Sequence, residues 1–452
     1  MIELFDTASR TKKPLAPRTP GKVSMYVCGP TVYGPPHLGH GRFSLVFDVL
    51  RRYLVWNGLD VTYVSNVTDI DDNIIKGATA AGEDFNEFAQ NWERIWWEAM
   101  DGLSVLRPDN TPHATEYVDQ MVATIASLID TGAAYVTSDG VYMAVRSVQD
   151  YGLLAHQSLE DLVEGAGERT LVGEEKRATG DFVLWKLAKP GEPAWPSPWG
   201  DGRRGWHTEC VVMSLDILGD AFDIHGGGID LAFPHHENER AQAVALGRES
   251  AALWVHNGFV EVGGEKMSKS LGNFSTLTDL IEQHDPRAYR LLVLQSHYRS
   301  PVEVTPASIT NAEAALARLD NFADRAAEAP GGAPNQDLLE EFRNRMDDDL
   351  DTPGAMAAMF SGVTEANRML DAGEAEQAAP NIAAVLEMLT AVGLKVGRDL
   401  AEVPADVLEL CARRDAARTD REWAAADDLR DQLVAMGWIV EDSPTGTKVR
   451  KS

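Results

Sequence analysis

Residues 26–40 read YVCGPTVYGPPHLGH, and the rest of the chain is organised around this stretch. It begins inside the apolar run Val23–Cys28, which predicts a short β-strand, and the Gly and Pro residues that follow predict a tight loop. Apolar residues then recur at helical spacing, so an amphipathic helix begins near His37. This order is typical of a nucleotide site, because unpaired N–H groups at a helix N-terminus bind phosphate. His40 adds a second donor, and Gly39 allows close approach of the ligand.

Length and composition indicate a multidomain globular protein. The chain has 452 residues, of which 44% are hydrophobic and 25% charged, and its formal net charge is −29. That charge argues against an extended nucleic-acid surface and confines any such contact to a local basic patch. No apolar run could cross a bilayer, and the N-terminus lacks a signal-peptide pattern, so we expect a cytoplasmic protein without membrane contact. The three cysteines are far apart and form no disulfide framework.

The order of predicted elements indicates an α/β fold with a Rossmann-like parallel sheet. The first strand, its helix and the β-rich run Val61–Val64 make one βαβ unit. Further on, Ser138–Gly140 predicts a hairpin, and residues 150–205 appear irregular. We predict five segments: the first half of a Rossmann-like catalytic domain (1–111), an α+β insertion (112–204), the second catalytic half with a lysine loop (205–305), a helical bundle (306–405) and a small C-terminal α/β module (406–452).

Residue types that bind zinc recur at motif positions. Cys28 ends the first predicted strand, and Cys210 lies in the run WHTEC. His235 and Glu239 are four residues apart and share one helix face, although spacing alone would equally allow His236 with Glu239. Two thiolates, one imidazole and one carboxylate suit a tetrahedral zinc shell, and the soft ligands favour zinc over magnesium. The alternative is a buried cysteine beside a hydrogen-bonded histidine.

A lysine-rich loop is the second candidate for phosphate chemistry. Residues 266–270 read KMSKS and are flanked by glycines on both sides. Lysines beside a triphosphate can neutralise the charge that builds during phosphoryl transfer. Taken separately, this run and the histidine pair at 37–40 are more typical of solvated surface residues, so their combination has to decide.

HLGH at 37–40 followed by KMSKS at 266–270 resembles the paired signature of class I aminoacyl-tRNA synthetases. The runs YVCGPTVY, WHTEC, DIHGGGIDLAFPHHENE and EKMSKSLGN make the chain similar to the cysteinyl-tRNA synthetase family in particular. The resemblance implies a monomeric enzyme that activates L-cysteine with ATP and Mg²⁺ to cysteinyl adenylate. It then implies transfer of the cysteinyl group to the terminal ribose 2′-hydroxyl of tRNA(Cys).

The same resemblance implies roles for individual residues and one zinc ion per chain. The implied zinc ligands are Cys28, Cys210, His235 and Glu239. The implied catalytic residues are His37, His40, Lys266 and Lys269, and the implied ATP-binding residues are these four with Gly39 and Ser268. The implied cysteine pocket comprises Cys28, Gly29, Thr31, Thr68, Trp206 and His225. Since zinc binds a thiolate strongly and a serine hydroxyl poorly, direct coordination would select cysteine without an editing site.

The C-terminal module is implied to read the anticodon, and Trp438 is a candidate to stack on a base. Upstream, the acidic run Asp347–Asp349 is typical of a solvated face. Two other functions remain open. Cysteine:glucosaminyl-inositol ligases resemble the same catalytic half but lack the C-terminal module. A catalytically silent paralogue would bind tRNA or cysteine without activating either.

Overall fold

A computed structural model describes residues 1–157, 175–178, 180–262, 265–266, 276–397, 404–443 and 446–451. The strands in these ranges are β1 (Glu3–Asp6), β2 (Thr11–Pro14), β3 (Lys22–Val27), β4 (Asp60–Val64), β5 (Ala134–Val136), β6 (Gly140–Met143), β7 (Phe182–Leu187), β8 (Gly202–Arg204), β9 (Ile224–Gly228), β10 (Leu253–Asn257), β11 (Val260–Val262), β12 (Glu265–Lys266), β13 (Val302–Glu303), β14 (Trp438–Ser443) and β15 (Gly446–Lys451). The α-helices are α1 (Leu38–Trp56), α2 (Asp72–Ala81), α3 (Phe85–Gly102), α4 (Val118–Asp130), α5 (Trp206–Leu218), α6 (Glu237–Ala245), α7 (Leu277–Gln283), α8 (Pro286–Leu294), α9 (Pro306–Ala326), α10 (Gln336–Asp347), α11 (Thr352–Asp371), α12 (Ala375–Ala391), α13 (Ala405–Thr419) and α14 (Trp423–Ala435). Two compact units result: Met1–Leu316 with Pro330–Lys395, and Ala317–Ala329 with Val396–Ser452.

The first unit is built on a four-stranded parallel sheet of order β10-β9-β3-β4. Val64, Tyr26, His225 and Trp254 form one row across it, in register from β4 to β10. All five residues of β10 are buried, as expected of a parallel strand covered on both faces. The predicted Rossmann-like architecture is therefore confirmed.

The carboxyl ends of these four strands meet at one edge of the sheet. β3 and β9 are neighbours in the middle of the sheet. β4 extends the sheet beside β3, and β10 extends it on the opposite side, beside β9. Ligands of open α/β sheets bind outside the carboxyl ends at such a switch point. The chain leaves the sheet there at Cys28, Gly228 and Asn257.

The predicted insertion contains an antiparallel sheet of order β5-β6-β7-β8. The predicted hairpin is confirmed: Val136 opposes Val141, and Thr137 N–H donates to the Gly140 carbonyl at 2.8 Å. The prediction that residues 150–205 are irregular is wrong for β7 and β8. Tertiary packing decides there, because Trp185 of β7 is completely buried although its neighbours lack clear alternation.

The turn between α10 and α11 contains the acidic run Asp347–Asp349. Asp349 is only 1% exposed, and it accepts hydrogen bonds from the Phe5 N–H at 2.8 Å and the Tyr298 hydroxyl at 2.6 Å. Asp347 lies 2.8 Å from the N-terminal ammonium of Met1. A fully solvated face is therefore wrong for this run, which ties the turn to the N-terminal strand.

In the second unit, α13 and α14 pack on the β14–β15 hairpin. Their apolar core contains Val407, Cys411, Leu433, Trp438, Val440 and Val449. Trp438 is only 9% exposed, so the prediction that it is available to stack on a base is wrong. Trp423, at the start of α14, is 60% exposed instead. Across the parts of the chain described, no helix has the length and apolarity that a membrane span requires.

Candidate active site

A cavity of about 470 Å³ opens at the carboxyl edge of the parallel sheet. Seven of the predicted site residues line it: Cys28, Gly29, Thr31, His37, Gly39, His40 and Trp206. The histidine loop and the first cysteine of the predicted metal set therefore face one space. Thr68 and His225 are not among the lining residues; both are buried behind the wall.

The two histidines of HLGH cap the start of α1 for each other. His40 N–H donates to Nδ1 of His37 at 3.1 Å, and His37 N–H donates to Nδ1 of His40 at 3.2 Å. The rings stack with centroids 3.5 Å apart. Since each Nδ1 accepts a backbone N–H, each neutral ring carries its proton on Nε2. Both rings are thereby held as Nε2–H donors beside a helix N-terminus.

Gly29 follows the first cysteine where the backbone must pass very close to a neighbouring loop. A Cβ on Gly29 would lie 1.7 Å from the carbonyl oxygen of Asn66. The Gly29 N–H donates to the Asn66 side-chain oxygen at 2.9 Å, and Thr31 pairs with Thr68 as an isolated β-bridge. Any larger residue than glycine would therefore displace this wall of the cavity.

Four potential metal ligands converge next to the cavity, and Cys28 is the one of them that lines it. Together they are called the cavity floor below. One donor atom from each of Cys28, Cys210, His235 and Glu239 lies within 4.8 Å of the others, and all four residues are buried. The two sulfur atoms are 3.7 Å apart, His235 Nε2 is 3.5 Å from the Cys210 sulfur, and Cys28 sulfur is 3.6 Å from the Glu239 carboxylate. Two sulfur atoms, an imidazole nitrogen and a carboxylate oxygen therefore lie close enough together to share one cation. The donor set fits zinc.

Further histidines surround this donor set. His207 Nδ1 lies 2.8 Å from Nδ1 of His235, and His225 Nε2 lies 2.8 Å from the Glu239 carboxylate. His236 Nε2 lies 3.2 Å from the Cys28 sulfur, so Cys28, His225, His236 and Glu239 form a second group with metal-ligand spacing. Spacing left the choice between His235 and His236 open, and in the structure each histidine belongs to its own possible ligand set. The two sets share Cys28 and Glu239, but only the set with His235 includes both thiols.

The comparisons with known proteins agree along the whole chain. Family models match residues 14–314 as "tRNA synthetases class I (C) catalytic domain", 341–394 as "DALR domain" and 400–450 as "Cysteinyl-tRNA ligase anticodon binding domain". A curated protein of Halorhodospira halophila named cysteine–tRNA ligase is 46% identical, with 100% of each chain covered. One of Methylobacillus flagellatus with the same name is 47% identical at the same coverage.

The chain belongs to the cysteine–tRNA ligase family. Solved structures of other synthetases share its fold. Methionyl-tRNA synthetase of Mycobacterium tuberculosis with methionyl-adenylate has a TM-score of 0.61 at 16% identity, over 82% of this chain and 90% of that one. The LeuRS–tRNA–LeuAMS complex of Agrobacterium radiobacter has a TM-score of 0.62 at 13% identity, over 84% of each chain.

In this member of the cysteine–tRNA ligase family, the side chains of the donor set have strongly shifted pKa values. Burial raises the pKa of Cys28 well above its usual range. Burial opposes ionisation of Cys210 too, but hydrogen bonds with Cys28 and His235 outweigh it and lower the pKa of Cys210 to about 6. Burial would also neutralise Glu239, yet His225 and His235 hold the pKa of that carboxyl well below its usual range. The surroundings of Cys210 and Glu239 thus favour the ionised forms in which these side chains bind a metal.

Several residues of the site escaped the reasoning from sequence. Asp230 lines the cavity, while His207 and His256 lie around the donor set. One signal was available: five of the eleven histidines, at 207, 225, 235, 236 and 256, fall within fifty residues. Such a concentration in a mostly buried stretch indicates a metal centre with supporting histidines.

Glu209, beside Cys210, was also missed. It accepts a hydrogen bond from the Thr68 hydroxyl and lies 2.5 Å from the Arg204 guanidinium of β8. Burial raises the pKa of Glu209 to about 8. The predicted pocket residue Thr68 is thus held by Glu209 of α5 as well as by its bridge to Thr31.

The lysine motif lies mostly outside the described residues. Of the predicted residues, Ser268 and Lys269 fall there, and Lys266 is described only as backbone. Lys266 ends β12, in antiparallel register with Glu261 of β11. β11 begins at Val260, a residue of the cavity wall.

Proposed function

We propose that this chain activates L-cysteine with ATP and transfers it to tRNA(Cys). The observation that supports this most is that Cys28 lines the same cavity as His37 and His40. A sulfur ligand and a phosphate-binding loop in one space suit an enzyme that must recognise a thiol and a nucleotide together. The named relatives in the family support the same reaction.

The proposed amino-acid subsite lies at the cavity floor. Cys28, Cys210, His235 and Glu239 would hold the metal, which when bound supplies a thiophilic acceptor for the substrate thiolate. His207 Nδ1, 2.8 Å from Nδ1 of His235, would accept a proton from that nitrogen and leave Nε2, which lies 3.5 Å from the Cys210 sulfur, for the metal.

The walls of this subsite suit the rest of the amino acid. The ring of Trp206 and the backbone of Gly29 and Thr31 would enclose the small side chain, with Thr68 and His225 supporting them from behind. Asp230 adds a carboxylate to the wall, which suits a substrate ammonium group.

The proposed ATP subsite lies at the start of α1. His37 and His40 would donate Nε2–H groups to phosphate oxygens, and the backbone near Gly39 would approach them closely. We propose that Lys266, Ser268 and Lys269 complete the subsite, with Mg²⁺ accompanying ATP. The substrate carboxylate would then attack the α-phosphate and expel pyrophosphate, giving cysteinyl adenylate.

We assign anticodon reading to the second unit, in line with its family model. Its exposed aromatic residue is Trp423, and Arg421 is an exposed cation close to it in the chain. An exposed indole beside a guanidinium suits stacking on an unpaired base.

Charging of unfractionated tRNA with radiolabelled cysteine, and in parallel with serine, tests this proposal. We expect cysteine to be incorporated and serine to be rejected. Cysteine-dependent pyrophosphate exchange without charging, together with ligation to a glucosaminyl-inositol, would favour the sugar ligase instead. Absence of pyrophosphate exchange from zinc-loaded protein would favour the silent paralogue and overturn the proposal.

A further inference from the structure

Arg42 is a buried cation that the proposed reaction does not yet use. It lies on α1, two residues after His40, and is only 1% exposed. Its guanidinium donates to the backbone carbonyls of Phe259 and Ser300, to that of Tyr298 at 3.1 Å and to that of His297 at 3.4 Å. All of these acceptors are main-chain oxygens.

The charge of Arg42 has no carboxylate counterpart within the residues that the structure describes. Burial lowers its pKa to about 10, so the guanidinium remains charged at neutral pH. Arg290 of α8, equally buried, is different, because it lies 2.7 Å from the Asp48 carboxylate. Burial of a cation without an anion costs free energy that an apolar side chain would not. The shape of the donor fork, rather than its charge or packing, explains an arginine at this position.

The carbonyls that accept from Arg42 belong to two separate segments. Residues 257–260 line the cavity, and residues 297–300 form a turn behind them. The segments touch at Gly258, whose N–H donates to the Tyr298 carbonyl at 2.8 Å. A Cβ on Gly258 would lie 2.6 and 2.7 Å from the carbonyl oxygens of the turn. Arg42 therefore joins three backbones: the start of α1, the cavity wall and the supporting turn.

The cavity wall continues toward the lysine motif. Residues Val260–Val262 form β11, and Glu261 opposes Lys266 of β12. The Phe259 carbonyl accepts both from Arg42 and from the N–H of Val302 at 3.0 Å, at the point where β11 and β13 begin to pair. Displacement of this carbonyl would shift β11 relative to the histidines of α1.

We propose that Arg42 is a positioning residue for ATP. It sets the distance between the histidine end of α1 and the wall formed by residues 257–260, and so the width of the nucleotide side of the cavity. The proposal rests on the proposed function, since it assumes that ATP occupies this side. The amino-acid side depends on Cys28 and its partners, none of which contacts Arg42 in the described structure.

Arg42→Lys is the sharpest test, because it keeps the charge but replaces the fork with a single nitrogen that cannot span both segments. We expect the dissociation constant of a non-hydrolysable ATP analogue, measured by equilibrium dialysis, to rise by roughly tenfold or more. In pyrophosphate exchange the KM for ATP should rise in parallel, while the KM for cysteine stays within about twofold. Arg18→Lys is the matched control: Arg18 also donates to backbone carbonyls, those of Leu218 and Asp220, but neither lines the cavity.

Gly258→Ala provides an independent test should Arg42→Lys fold poorly. Its added methyl group points to the 297–300 turn and would spread the two segments while Arg42 is retained. The same selective loss of ATP affinity is expected. Unchanged ATP affinity in a folded variant, or equal losses for ATP and cysteine, would overturn the positioning role. Failure of the wild-type protein to bind the analogue would instead overturn the proposed function.

Discussion

The cavity floor and the α10–α11 turn both bury a carboxylate, but they satisfy it in different ways. At the turn, Asp349 accepts from a backbone N–H, a hydroxyl and the guanidinium of Arg299 at 2.6 Å. At the floor, Glu239 has two imidazole partners but also lies among the thiols of Cys28 and Cys210. The partners of the carboxylate at the turn are all hydrogen-bond donors, whereas the floor also brings potential metal ligands within 4.8 Å of one another.

We propose that this difference separates a structural carboxylate, Asp349, from a functional one, Glu239. A buried acceptor whose donors are all supplied by the protein needs nothing further and stabilises the fold. A cluster of thiols, imidazoles and a carboxylate with atoms within 4.8 Å of one another could hold a cation as well. Substitutions at the floor should therefore change metal content and activity, and substitutions at the turn should change stability.

The largest effect is expected from Cys210→Ser at the floor. Loss of one of two soft ligands should remove most of the zinc, which we expect at about one ion per chain in the wild-type protein. Cysteine-dependent pyrophosphate exchange should fall by at least roughly 100-fold, because the thiol acceptor is lost with the metal. Metal analysis and exchange assays of the purified variant check both expectations.

The matched control is Cys411→Ser in the second unit. Cys411 lies in an apolar core, and within the described residues it has no second cysteine or histidine in a ligand cluster. Its zinc content and exchange rate should equal those of the wild-type protein. Full zinc content in Cys210→Ser would show that the floor is satisfied as the turn is, and the contrast between the two regions would disappear.

Asp349→Asn should have the next largest effect, and it should act on stability alone. It leaves the Arg299 guanidinium and the Tyr298 hydroxyl without their buried anion, which typically costs about 2–4 kcal/mol of unfolding free energy. Denaturant unfolding measures this loss, and zinc content should remain unchanged. Asp348→Asn is the control: that side chain is 59% exposed, so a change within about 0.5 kcal/mol is expected. Loss of zinc from Asp349→Asn would contradict the separation of roles.

What could be predicted from the sequence follows the same division. The parallel sheet and the ligand candidates were predictable, because strand periodicity and rare residue types at motif positions are local signals. Asp230 was not, since its place in the cavity wall depends on a fold that brings distant positions together. The acidic run was misjudged because nothing local distinguishes Asp349, which is buried against Phe5, from a solvated aspartate.

The burial of Trp438 and the contacts of Arg42 could not be predicted from the sequence. Trp438 is a candidate to stack on a base because the C-terminal module is implied to read the anticodon, yet it packs in the apolar core of the second unit. The role of Arg42 could not be predicted from the sequence either, because it is one of several polar residues on an amphipathic helix. Its carbonyl partners lie more than two hundred residues away.

The smallest effect is expected at a third carboxylate, that of Glu93, which pairs with the His113 imidazole and is more exposed than the other two. His113 Nε2 is 3.0 Å from Glu93, and the side chains are 29% and 19% exposed. The hydrogen bond with Glu93 outweighs burial and raises the pKa of His113 above 6.5. The folded state thus binds this proton more tightly than the unfolded state does. His113 lowers the pKa of Glu93 below 4.5 in turn, so the stabilisation is complete between pH 4.5 and 6.5 and disappears as the pH rises through the raised pKa of His113.

His113→Gln should therefore be less stable than the wild-type protein between pH 4.5 and 6.5 by up to about 1 kcal/mol, and the difference should shrink as the pH rises above that range. Urea unfolding at a series of pH values measures it. The floor pair His235–Glu239 lies at a similar distance, 2.9 Å, but is almost fully buried among thiols. A pH-independent difference for His113→Gln would mean that a partly solvated pair does not titrate separately. Degree of burial would then no longer distinguish this pair from the carboxylates of the floor and the turn.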